Sequence, residues 1–123
     1  MNFIKCEISE IDSEQEVYIQ INIGKSDINK LIILLLKLSF RKQKQVILFD
    51  ELNNTSAIIK YNNCYSITLK NKYKEHKLSE EQPNLLYSFL LDNTEDYAEY
   101  NHIDIEIFDE GKIYNYTISV ISK

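Results

Sequence analysis

Two histidines, His76 and His102, are the residues of this chain whose unperturbed pKa lies near neutrality, so acid–base catalysis would have to begin with them. Neither belongs to a recognisable catalytic constellation. Glu99, His102 and Asp104 could gather around a metal ion, but their spacing matches no ligand pattern with a physical justification. No activated serine, cysteine or lysine arrangement stands out. We therefore expect a protein that is not an enzyme and that uses no metal and no cofactor.

The two cysteines, Cys6 and Cys64, lie far apart in the sequence and lack the paired spacing of a zinc or redox site. A reducing cytosol also disfavours a disulfide between them. We expect both to act as small buried hydrophobic residues.

Acidic residues are concentrated in one part of the chain. Residues 92–110 hold eight Asp and Glu and no Lys or Arg, whereas residues 25–74 hold ten bases against three acids. A surface of one sign steers partners of the opposite charge and raises their association rate. Tyr97 and Tyr100, three residues apart, add rigid aromatic anchors of the kind that dominate interface energetics. The expected partner-binding residues are Asp92, Glu95, Asp96, Tyr97, Glu99, Tyr100, Asp104 and Glu106.

The run from Asp96 to Tyr100, which reads Asp-Tyr-Ala-Glu-Tyr, resembles the toxin-facing surfaces of small bacterial immunity proteins that neutralise nuclease toxins. The resemblance is one of function class, because colicin-type immunity proteins are all-helical. It implies a bacterial antitoxin that covers a basic, nucleic-acid-binding toxin surface with carboxylates. The competing interpretation is a solvated acidic face whose tyrosines pack back on the protein.

Composition excludes several other classes. With two Gly and one Pro, the chain lacks the glycine-rich loops that wrap phosphates in the common nucleotide-binding enzymes. The longest apolar run, residues 31–36, is much shorter than the roughly 20 residues of a membrane-spanning helix. The amino terminus lacks the pattern of a secretory signal, which favours a cytoplasmic location. Arg41, Lys42 and Lys44 follow a predicted helix, where they complement its dipole, and we expect no binding of nucleic acid or membranes.

In the first half of the chain, residues 3–8 and 17–23 show strand patterns and predict an antiparallel pair. Apolar residues then recur at helical spacing, which predicts a helix over residues 27–42. Further apolar residues occupy its other faces, so we expect the helix to be covered on more than one side, either by its own sheet or by a second subunit. A homo-oligomeric scaffold or accessory subunit that uses residues 28–38 as its interface is the alternative function, with a monomer or a homodimer as the expected state.

In the second half, residues 46–49 predict a strand, and residues 56–61 and 64–69 predict a hairpin that turns at Asn62 and Asn63. Residues 71–77, which include three Lys, are expected to form a solvated connection. Ser79 and Gln82 have capping-box spacing before a second helix, which begins at Glu81 or Gln82. Residues 103–108 and 114–120 predict a closing hairpin with its acids exposed.

These elements predict a single α+β domain over residues 1–123. Its order is ββαβββαββ, with two helices and a largely antiparallel sheet of six to seven strands.

Overall fold

Alternating apolar residues build most of this protein, and in the computed structural model they form two sheets that pack, with two helices, around one core. The structure describes residues 3–61, 65–69, 74–95 and 101–122. The predicted α+β class is confirmed. Within the described residues the strands are β1 Phe3–Lys5, β2 Glu7–Asp12, β3 Glu16–Gly24, β4 Gln45–Asp50, β5 Thr55–Tyr61, β6 Tyr65–Leu69, β7 Lys74–Lys77, β8 His102–Asp109 and β9 Lys112–Ile121. The helices are α1 Ile28–Ser39, preceded by a 3-10 turn Lys25–Asp27, and α2 Gln82–Asp92.

The strands are divided between a five-stranded sheet, in the order β1-β4-β5-β6-β7, and a four-stranded sheet, in the order β2-β3-β9-β8. The pairs β1–β4 and β3–β9 are parallel, and the other neighbouring strands are antiparallel. The prediction of one largely antiparallel sheet with six to seven strands is therefore wrong in its details. The observed order over the described residues is βββαββββαββ.

The predicted first strand, residues 3–8, is split at Cys6. The backbone N–H of Cys6 donates to the carbonyl of Phe49 at 2.9 Å, which holds Cys6 beside β4 as the chain leaves β1. The chain then continues in the other sheet as β2, which pairs with β3. The predicted antiparallel pairing with the second strand is confirmed for the β2 part only.

Residues 74–77 form strand β7 on the edge of the five-stranded sheet, which corrects the predicted solvated connection. Lysines suit an edge strand because their charged ends reach water and discourage further strand pairing. Between them, His76 points inward and is buried, so β7 has the alternation of a half-buried strand. Residues 71–73 and the turn at Asn62 and Asn63 lie outside the described residues.

Helix α1 ends at Ser39, three residues before the predicted end at Lys42. Arg41 has a φ of 59°, and the N–H of Lys42 donates to the carbonyl of Lys37 at 2.8 Å. A left-handed residue followed by a hydrogen bond to the carbonyl five residues earlier ends a helix and satisfies its last carbonyls. Helix α2 begins at Gln82 as expected. The side-chain Oε1 of Gln82 accepts a hydrogen bond from the backbone N–H of Ser79 at 2.7 Å. Neither described helix is long and apolar enough to cross a bilayer.

Candidate partner-binding face

The candidate site is the outer face of the four-stranded sheet, hereafter the acidic face. Along β8 the inward Ile105 is buried, whereas Asp104 and Glu106 on either side of it are exposed, as the sequence alternation predicted. Asp92 and Glu95 are also exposed, but they lie at the carboxyl end of α2 and not on the sheet. The remaining predicted residues, Asp96, Tyr97, Glu99 and Tyr100, lie outside the described residues.

Sheet pairing places the two β8 acids in rows with residues from distant parts of the chain. Asp104 lies opposite Thr117 of β9, whose Oγ1 donates to Asp104 Oδ1 at 2.6 Å. Glu106 lies opposite Asn115, and Asn115 in turn lies opposite Tyr18 of β3. The row of Glu106, Asn115 and Tyr18 therefore joins a carboxylate, an amide and an aromatic ring on one surface.

Exposed apolar side chains lie among these acids. Tyr18 is 45% exposed and Phe108 is 73% exposed, and Ile11 of β2 lies opposite Tyr18 at the sheet edge. The Tyr18 hydroxyl donates to the Glu16 carboxylate, and this hydrogen bond raises the pKa of Tyr18 above its ordinary value. Aromatic rings such as Tyr are enriched among the anchoring residues of protein interfaces, and carboxylates beside them add charge complementarity to a basic partner. The alternation in the sequence predicts the exposed acids of β8, but no local pattern connects Tyr18 with them.

The centre of the acidic face is held by side-chain amides. Gln20 Nε2 donates to Asn22 Oδ1 at 2.7 Å and to Ser119 Oγ at 2.8 Å, which links β3 with β9. Asn22 Nδ2 donates to Glu7 Oε1 at 3.4 Å, which extends the connection to β2. These bonds fix several side chains before any partner binds, so less rotamer freedom is lost on association.

The acidic face has charges of one sign. The outward positions of its four strands include four carboxylates and neither Lys nor Arg. The four carboxylates belong to Glu7, Glu16, Asp104 and Glu106. Such a face attracts a basic partner and repels an acidic one.

The two histidines occupy opposite environments. His102 is exposed at the start of β8, whereas only 3% of His76 is exposed. His76 Nδ1 lies 2.6 Å from the Tyr116 hydroxyl, and its ring centroid lies 4.3 Å from that of Tyr114. Burial lowers the pKa of His76, although Asp109 Oδ2 at 3.4 Å from Nε2 opposes this shift. These contacts join β7 to the other sheet, and the low exposure of the imidazole keeps it from a substrate.

The described residues offer no alternative chemical site of the kinds considered in the sequence. No group of three or more His, Cys, Asp or Glu among them could hold a metal ion. Cys6 is partly buried, and burial together with the nearby charges of Asp50, Glu7 and Asp27 raises the pKa of its thiol to about 12. A protonated thiol is a poor nucleophile. Cys64 lies outside the described residues.

Comparisons of this chain with protein-family models, with curated proteins and with solved structures found no match.

Proposed function

We propose that this protein is a non-enzymatic binding protein whose acidic face covers a basic surface of another protein. The observation that carries the proposal is the face itself, where four carboxylates and the exposed Tyr18 and Phe108 occur without a Lys or Arg at any outward position. Charges arranged in this way accelerate encounter, and the rings supply apolar contact area once the partner is bound.

Within this class we propose a bacterial immunity protein that neutralises a basic toxin, with a nuclease as the candidate target. A nuclease binds nucleic acid phosphates with Lys and Arg. The same side chains can instead donate charge-assisted hydrogen bonds to the carboxylates of another protein, which then take the place of the phosphates. In this proposal, Asp104 and Glu106 on β8 occupy the positions that nucleic acid phosphates take in the toxin. Asp92 and Glu95, at the end of α2, extend the acidic surface proposed from the sequence.

The test is growth of a host cell that expresses the reading frame immediately upstream of this gene, with and without this protein. Growth arrest that is relieved by co-expression supports the immunity function. Arrest without relief, or no arrest, contradicts it.

The assigned surface is tested with the double substitution Asp104→Lys and Glu106→Lys, which reverses the charge of β8. We expect it to abolish rescue while the protein still folds, because both side chains are exposed. The matched control is Glu51→Lys with Glu80→Lys, which makes the same charge change at exposed positions outside the acidic face. Equal rescue by both double variants would show that the acidic face is not the binding surface.

A further inference from the structure

Helix α1 presents a second apolar surface that the acidic face does not use. Ile33 is 53% exposed, Leu36 is 44% exposed and Phe40, directly after the helix, is 73% exposed. We call these three residues the α1 stripe. The three residues are separated by three and then four positions. In the seven-residue heptad repeat abcdefg of packed helices, this is the spacing of successive a, d and a positions.

The α1 stripe is distinct from the face that α1 uses in its own fold. Five other apolar residues of the helix are buried in the core, and they are Ile28, Leu31, Leu34, Leu35 and Leu38. The helix therefore satisfies its packing within the protein and still exposes an aligned apolar seam. Such a seam is a recognisable docking surface for an amphipathic helix.

The charged residues of helix α1 itself are all positive. With Ile33 as position a, Lys30 and Lys37 occupy the e positions, and both are exposed. Helix α1 contains no Asp or Glu, and the exposed Arg41 follows it. Residues at e and g form the interhelical ion pairs that decide partner choice and orientation.

These lysines disfavour a second copy of the chain as the occupant. In an antiparallel pair of α1 helices, the e positions face each other, so Lys30 would meet Lys37 of the other copy twice. In a parallel pair, the e positions face g positions, which are Ile32 and Ser39 in this chain and carry no negative charge. A helix with Glu at these flanking positions would instead pair with both lysines.

We propose that the α1 stripe binds an acidic amphipathic helix of another protein, with aliphatic residues at a and d and glutamates at the flanking positions. The contact area is supplied by Ile33, Leu36 and Phe40, and the selection by Lys30 and Lys37. This inference does not depend on the proposed function, because it uses a different surface and a partner of the opposite charge.

The probe is a synthetic helical peptide of about three heptads, with Leu at a and d and Glu at e and g. Backbone amide resonances of the isotope-labelled full chain are followed by NMR during its titration. We expect saturable shifts that concentrate on α1. The same peptide with Lys at e and g should cause no such shifts. No shifts with the acidic peptide, or equal binding of the two peptides, would overturn the proposal.

Variants of the full chain distinguish the roles of the stripe and its charges. Leu36→Asp should weaken binding of the acidic peptide by at least about tenfold. The control Leu85→Asp alters a comparably exposed leucine on α2 and should leave binding unchanged. The double substitution Lys30→Glu with Lys37→Glu should reverse the preference and favour the lysine peptide. Retention of the original preference in that variant would contradict the role of the lysines.

Two further measurements address the other occupants. Sedimentation should show a monomer, and a dimer that Leu36→Asp dissociates would assign the stripe to a second copy. Vesicles that contain phosphatidylserine should bind no better than neutral vesicles. Vesicle binding that Leu36→Asp removes, without binding of the acidic peptide, would assign the stripe to a membrane surface.

Discussion

From the contact between His76 and Tyr116 we predict how much the Tyr116 hydroxyl contributes to the free energy of unfolding. Tyr116 is fully buried, and its hydroxyl lies 2.6 Å from His76 Nδ1. The other ring nitrogen, Nε2, is also buried, and Asp109 Oδ2 lies 3.4 Å from it. Substitution Tyr116→Phe keeps the ring but leaves Nδ1 without its partner. Leaving such a buried polar atom unsatisfied costs about 1–3 kcal/mol, which is the expected loss in the free energy of unfolding.

The assay is urea denaturation at neutral pH, where the loss appears as a lower midpoint with an unchanged slope. Tyr114→Phe is the matched control, since the described residues show no hydrogen bond from the Tyr114 hydroxyl, and it should change stability by less than about 0.5 kcal/mol. The double variant His76→Phe with Tyr116→Phe removes both polar partners, so its loss should be smaller than the sum of the single losses. A Tyr116→Phe variant as stable as the control would refute this account of the contact.

The titration of His76 and the hydrogen bonds of Asp50 give two further predictions of stability. Burial lowers the pKa of His76 below 6.5, the ordinary value expected in the unfolded chain. The stability that neutral His76 provides is therefore fully present above pH 6.5, and it is lost as the pH falls through the pKa of the folded state. His76→Gln, which cannot titrate, should show a weaker loss over this range by urea denaturation, and identical pH profiles would contradict the role of His76. The buried Asp50 accepts the N–H of Ile8 at 2.7 Å and the Asn53 side-chain amide at 2.8 Å, and these bonds lower its pKa. Asp50→Asn should therefore cost about 1.5–3 kcal/mol in thermal unfolding, and an unchanged midpoint would show that the charge is not needed.

Local patterns were sufficient to predict most elements of the fold. The alternation along β3, β8 and β9 and the apolar spacing of α1 and α2 follow from which side of each element is buried. The same patterns placed Asp104 and Glu106 on the exposed side of β8. The ends of helices and strands were predicted less accurately. The end of α1 near Arg41 is an example, because a left-handed residue that is not glycine gives only a weak signal in the sequence.

The sequence by itself determined the α+β class, the alternation of buried and exposed residues and the concentration of acids near β8. Only the tertiary structure decided which strands are neighbours. The tertiary structure placed β1 and β2, which flank Cys6, in different sheets, and it made β7 an edge strand with a buried His76. It also brought Tyr18 into one row with Asn115 and Glu106. The physical reason is range: periodicity reports the local environment of a segment, whereas a contact such as Gln20 with Ser119 joins residues 99 positions apart and depends on the pairing of whole strands.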